Sequence, residues 1–219
     1  MWFKWPKELR AQGLLGMNSR NIKYIARHNP RSLYPLVDNK LNSKTAAIKA
    51  GIRVPELLGV VESNRELVNL LALLESLTKF VIKPTRGSGG KGILVINNRD
   101  FDFFVKTNGN KIQHKDIRRH VNNILSGLHS LGGKPDSAMI ETMVEYDTVF
   151  NEYTYEGVPD LRIIVYKGFP VMAMLRCSTH LSDGRANLHQ GAIGVGIDIY
   201  TGKSLFAVQH SRPIDTHPD

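Results

Sequence analysis

The sequence predicts an α+β protein built as two lobes. Helical and strand patterns mix up to about residue 131, Gly132-Gly133-Lys134-Pro135 then marks a boundary, and beyond it the texture turns to strands. The expected organisation is a helical segment over 1–35, a first lobe over 36–134 and a second lobe over 135–219.

Residues 6–28 read as helical, with Asn18 placed to cap a second short helix through Ile22 and Ile25. Pro30 and Pro35 break the chain. Residues 39–50 form a helix that Gly51 ends, with Leu41, Ala46 or Ala47, and Ile48 facing inward. Leu57–Val61 is a strand, and Ser63-Asn64-Arg65-Glu66 is a capping box opening a helix through Leu67, Leu70, Leu71 and Leu74. Residues 80–83 and 92–96 are short strands. Residues 115–131 form an amphipathic helix, because Ile117, Val121, Ile124, Leu128 and Leu131 recur at three- and four-residue spacing. The second lobe has strands at 138–140, 161–166, 171–175, 193–199 and 205–209, with a hairpin signal at Lys167-Gly168-Phe169-Pro170.

The 219 residues suffice to bury a core, and 42% hydrophobic with 22% charged residues is ordinary for a globular protein. No apolar run approaches the roughly 20 residues that span a bilayer. The stretch from Met1 to Lys7 lacks the continuous apolar run of a signal peptide. Cys177 is the only cysteine, so no internal disulfide forms; this fits a reducing compartment, and the cytoplasm is the expected location. A lone cysteine between strand-like residues reads as a small core residue before it reads as a nucleophile.

The net charge is +9, and the excess sits early: before residue 60, Lys4, Lys7, Arg10, Arg20, Lys23, Arg27, Arg31, Lys40, Lys44, Lys49 and Arg53 face only Glu8, Asp38 and Glu56. Such a balance suits nucleic acid, an anionic membrane or phosphorylated small molecules, and equally a solvated basic surface. Nucleic acid ranks last, since no recognised motif or aromatic interleaving accompanies the charge. Trp2, Phe3, Lys4, Trp5 and Lys7 suit a membrane surface or, in the preferred reading, pack their aromatics on the first helix.

Thr85-Arg86-Gly87-Ser88-Gly89-Gly90-Lys91-Gly92 is the most informative stretch. Its G-x-G-x-x-G alone is weak, and context decides. A dinucleotide fold needs a helix next, but Ile93-Leu94-Val95-Ile96 is strand. A P-loop needs glycine at 85 and Ser or Thr at 92, where the chain has Thr85 and Gly92. What remains is a glycine hairpin between strands, able to lie over a triphosphate and donate backbone N–H groups to it. Lys83 ends the preceding strand within reach of a phosphate. The bland alternative is a flexible hairpin with a solvated lysine.

Asn39-Lys40-Leu41-Asn42-Ser43-Lys44, then Gly51-Ile52-Arg53-Val54-Pro55, then Phe80-Val81-Ile82-Lys83-Pro84 with the glycine loop, follow the order seen in ATP-grasp enzymes. Asp160-Leu161-Arg162 followed by Arg185-Ala186-Asn187-Leu188-His189-Gln190-Gly191 resembles the RimK-related ligases, in particular the alpha-L-glutamate ligase-like proteins. The resemblance runs from about Gly16 onward. It implies an ATP-grasp fold, two α+β lobes with the nucleotide between them, and an ATP-dependent carboxylate–amine ligase acting on a small carboxylate or glutamate. It implies that Lys40 and Lys83 contact ATP phosphates, that Gly87, Ser88, Gly89 and Gly90 cover them, and that Glu141, Thr142, Met143 and Val144 meet the adenine. Asp160 would take the ribose hydroxyls, Arg185 and Asn187 would lie near the triphosphate, and Arg162 and Arg176 would face the reacting groups. Arg162, Arg176 and Arg185 are thus the implied catalytic set. In this chemistry a carboxylate attacks the γ-phosphate and an amine then displaces phosphate, so the site needs cations and N–H donors more than a nucleophile. Each residue also has a plain alternative: Lys40 as an exposed helix lysine, Glu141 as the partner of a neighbouring lysine, Arg162 on a solvent face, Asp160 as a turn acid after Pro159, His189 as a structural loop histidine.

The resemblance also implies Mg2+, held by an Asp and by a Glu-x-Asn motif on a late strand. No glutamate follows Glu156, and the only Glu-x-Asn, Glu62-Ser63-Asn64, belongs to the capping box in the wrong lobe. The expectation is an incomplete C-terminal lobe without the usual metal ligands, a fragment of a longer protein, and little turnover by these 219 residues. A non-catalytic ATP-binding module is the main alternative. The family's leading α/β domain is reduced to the 1–35 segment, so the sequence leaves the carboxylate and the amine open.

Overall fold

A computed structural model describes residues 5–145 and 147–219, the Leu131 side chain excepted. Trp2, Phe3 and Lys4 of the aromatic–basic cluster lie outside the described residues, and Trp5 is exposed rather than buried against the first helix. The chain divides into a first unit ending at Ile52 and a second unit, Arg53–Asp219.

In the first unit, α1 (Pro6–Ala11) starts with proline, and the Glu8 carboxylate accepts the Trp5 amide at 3.0 Å. The helical segment expected over 6–28 is interrupted after Ala11 and resumes as α2 (Met17–Arg20), which runs on into a π-helical stretch, Asn21–Ala26. Gly16, not Asn18, caps α2: Gly16 is extended and its carbonyl accepts the Arg20 amide at 2.9 Å, so Asn18 falls inside the helix. After α3 (Tyr34–Asp38), Asn39 caps α4 (Lys40–Lys49), its side chain accepting the Leu41 amide at 2.9 Å. The inward row of α4 is Leu41, Lys44 and Ala47 at three-residue spacing; Ile48, expected inside, is exposed.

The second unit holds two antiparallel sheets, which with the helices make the α+β class expected. The first sheet comprises β1 (Leu57–Val61), β2 (Phe80–Pro84), β3 (Leu94–Asp100), β4 (Phe103–Lys106), β5 (Lys111–Ile112) and β6 (Ala138–Glu141), in the order β1-β6-β2-β3-β4-β5. Two helices, α5 (Leu67–Glu75) and α6 (His114–Leu125), cover one of its faces. Leu67, Leu70 and Leu74 of α5 and Ile117, Val121 and Ile124 of α6 pack on Phe80, Ile82, Leu94, Ile96, Phe104 and Ile140. Each large side chain buried this way stabilises the fold by about 1.5–3 kcal/mol. Strand alternation sends Val81, Lys83, Val95, Asn97 and Glu141 to the opposite face.

Two helix boundaries differ from expectation. Ser63 makes no side-chain cap; the Glu66 carboxylate accepts the Glu62 amide at 2.7 Å, and a single turn at Asn64–Glu66 leads into α5. α6 stops at Leu125 instead of 131, because Gly127 turns the chain at φ 84 and lies so close to the returning backbone that a Cβ there would sit 2.4 Å from the Lys134 carbonyl. Leu128 is consequently exposed.

The second sheet comprises β7 (Asp160–Tyr166), β8 (Phe169–Cys177), β9 (Ile193–Ile197), β10 (Ser204–Gln209) and β11 (Arg212–Ile214), in the order β11-β10-β9-β8-β7. β7 and β8 close through the two-residue turn Lys167-Gly168. β11, which carries Pro213, was not legible as a strand; it is short and lies at the sheet edge, where proline is tolerated. Asp160, Arg162 and Ile164 lie on one face of β7, and Leu161, Ile163 and Val165 on the other. No helix among the described residues is long and apolar enough to cross a membrane.

Candidate functional site

A cleft of about 1090 Å³ lies within the second unit, bounded by both sheets. Ile93, just before β3, and Val95 and Asn97 of β3 line it on one side; Asp160, Arg162, Met174 and Arg176 of the second sheet line it on the other. The period-two alternation of β3, β7 and β8 places these residues: Asp160 stands directly across from Arg176, and Arg162 from Met174.

The glycine hairpin forms one rim. Its first foot is anchored by Asp136, a buried residue whose carboxylate accepts the Thr85 hydroxyl at 2.5 Å, the Ser137 amide at 2.8 Å and the Arg86 amide at 3.0 Å. Gly87 bridges to the Ser130 backbone, and a Cβ on it would lie 2.3 Å from the Pro84 ring. Ser88 is exposed, and its carbonyl accepts the Lys91 amide at 3.3 Å. The tip, Gly89 and Gly90, has φ of 63 and 76 and lines the cleft. Across from it, the Asn187 side-chain amide lies 3.5 Å from the Gly89 carbonyl, the outer limit of a hydrogen bond, and a Cβ on Gly90 would meet Arg185 Cδ at 3.7 Å. The hairpin tip and the 183–189 loop thus meet at the mouth of the cleft. Asp136→Ala removes the acceptor for three donors and is expected to cost about 1.5–3 kcal/mol of stability. Urea unfolding checks this, and an unchanged midpoint would show that the hairpin foot does not depend on the carboxylate.

The charged residues divide into committed and available groups. Asp160 and Arg176 form a bidentate pair, with Arg176 Nε 2.6 Å from Oδ1 and a second guanidinium nitrogen on Oδ2. Arg185 lies 3.4 Å from Asp183, and both are exposed. Arg162 lines the cleft and makes no ion pair among the described residues.

The remaining sequence-derived residues fall into three places. Lys83 and Glu141 form an ion pair on the face of the first sheet that also carries Val95 and Asn97, and neither lines the cleft itself. The Thr142 amide donates to the Glu56 carbonyl at 3.0 Å and the Thr142 hydroxyl accepts the Glu56 amide at 3.0 Å, so the next residues, Met143 and Val144, emerge at the cleft wall. Lys40 belongs to the first unit, half-buried at the first position of α4. His189 lines the cleft and is exposed. Cys177 is buried, and burial first, then the Asp160 charge, pushes its thiol above the usual range, which suits a core residue and not a nucleophile.

Sequence reasoning missed Lys106, Thr107, Asn108 and Gly157, all of which line the cleft. The Asn108-Gly109 pair, a hairpin signal, marks the turn between β4 and β5 and would have placed Lys106 at a strand end. No group of three His, Cys, Asp or Glu comes together among the described residues, and both Asp160 and Asp183 already face an arginine. Glu156, Asp160 and Asp183 are the carboxylates that line the cleft, and one or two of them would suffice for Mg2+ beside the phosphates of a bound nucleotide.

The sequence matches the family described as sugar-transfer associated ATP-grasp over residues 19–219. No curated protein matches the chain.

Proposed function

The chain belongs to the sugar-transfer associated ATP-grasp family, and we propose that it binds ATP and serves as a carboxylate–amine ligase of the RimK-related, alpha-L-glutamate ligase-like kind. ATP-grasp proteins are generally ATP-dependent ligases, which makes ligation the starting expectation. The observation that carries the reading is the hairpin tip, Gly89 and Gly90, lying at the cleft mouth against Arg185 and Asn187 with Arg162 available on the cleft wall. Backbone N–H groups of the tip and the Arg185 guanidinium suit triphosphate oxygens. The backbone at Met143 and Val144 suits the adenine, and Asp160, oriented by Arg176, suits the ribose hydroxyls. The role of Lys40 rests on the sequence resemblance alone.

In the proposed reaction a carboxylate oxygen attacks the γ-phosphorus and the bond to ADP breaks, leaving an acyl phosphate. An amine lone pair then attacks the acyl carbon, inorganic phosphate leaves, and the amine proton passes to solvent. Arg162 would offset negative charge on the carboxylate and on the transferring phosphoryl group. A second reading, nucleotide binding without turnover, is favoured by Asp160 and Asp183 each facing an arginine, which competes with a metal ion for these carboxylates. Assay of ADP release with glutamate and amine acceptors separates the two. Acceptor-dependent release that Arg162→Ala reduces at least about a hundredfold supports the ligase. ATP binding without release supports the second reading, and release indifferent to both acceptor and Arg162 contradicts the first.

A further inference from the structure

We propose that His120 and His129 are positioning residues that fix the second foot of the glycine hairpin, so that its tip is presented to the cleft from a rigid base; the positioning role rests on reading the cleft as the nucleotide site. His120 projects from α6 with Nε2 3.0 Å from the Gly92 carbonyl. A carbonyl only accepts, so Nε2 carries the proton and the ring donates. His129 lies against the same glycine: a Cβ on Gly92 would fall 2.6 Å from its ring, and the two imidazole centroids are 5.9 Å apart. Burial holds the His120 ring below the usual histidine range; the Gly92 bond opposes this, and the nearby His129 and Lys106 add to it.

The first foot hangs on Asp136 through Thr85 and Arg86. Both feet are therefore tied to the segment from α6 to Asp136, which the mechanism does not otherwise use. Between them, Ser88, Gly89, Gly90 and Lys91 are exposed, held by one turn hydrogen bond of their own and by the long Asn187 contact to the Gly89 carbonyl. A glycine-rich tip of this kind covers phosphates only if its base is held, because ordering a loose loop on binding costs affinity.

The experiment uses the whole chain and compares wild type, His120→Leu, His120→Gln and His129→Ala. Glutamine can place an N–H near the Nε2 position, whereas leucine fills the space without a donor. Hydrogen exchange without nucleotide is read at residues 92–95, and ATP affinity by calorimetry. Expected are exchange about tenfold faster in H120L, ATP affinity about tenfold weaker, and recovery of both to near wild type in H120Q. H129A, which keeps the hydrogen bond, should also speed exchange by removing the ring packed on Gly92, and it stands in if H120L does not fold. Unchanged exchange in H120L and H129A would overturn the clamp. Faster exchange with unchanged ATP affinity would overturn its positioning role. If wild type binds no ATP while H120L exchanges faster, the nucleotide reading fails and the clamp stands.

Discussion

Lys83→Met is expected to destabilise the second unit by about 3 kcal/mol, the cost of removing one partner from a buried ion pair. Glu141 is 3% exposed on an interior strand, so its charge stays buried when the lysine goes; Lys83 is 24% exposed, which leaves little solvent screening of the pair. The double variant Lys83→Met with Glu141→Gln leaves no charge behind and is expected to regain most of the loss. This pair of variants also separates fold from function. If Lys83 reaches a phosphate, the stable double variant still binds ATP about 1.5–3 kcal/mol more weakly than wild type. Urea unfolding and calorimetry read the two effects, and wild-type affinity in the double variant would remove Lys83 from the site.

Gly157→Ala is expected to cost about 3 kcal/mol, at the upper end of overpacking effects, and to abolish ATP binding. A Cβ there would lie 2.0 Å from the Gly184 carbonyl and 2.6 Å from the buried Ser178 hydroxyl. Gly184 is backbone and cannot swing aside as a flexible side chain does, so the 183–189 loop must shift, taking Arg185 and Asn187 from the hairpin tip. Gly196→Ala is the control, because its nearest neighbour would be the Phe206 carbonyl at an ordinary 3.6 Å. Equal stability of the two variants would show that residues 157 and 184 do not approach as described.

Local periodicity made much of the second unit readable. The leucines of α5 and the Ile117-Val121-Ile124 row of α6 were legible because helical spacing puts them on one face, and β7 and β8 because apolar runs flank a turn signal. Helix ends were less legible: nothing local shows that Gly127 meets the Lys134 carbonyl. The glycine hairpin was readable as strand, loop and strand, and its context excluded two other phosphate loops. The fixings of that hairpin were not readable. Asp136, His120 and His129 reach it across long sequence separations, and only the fold brings them there. Asp160, Arg162 and Arg176 were recognised as a set, but the bidentate lock between the first and last of them depends on the β7–β8 register.

Calorimetric titration of ATP into residues 1–219 decides whether the cleft is a nucleotide site. Saturable binding of one nucleotide per chain at or below millimolar ATP is expected, accompanied by slower hydrogen exchange at the hairpin tip. A folded sample that shows neither heat nor a thermal shift at millimolar ATP would contradict it.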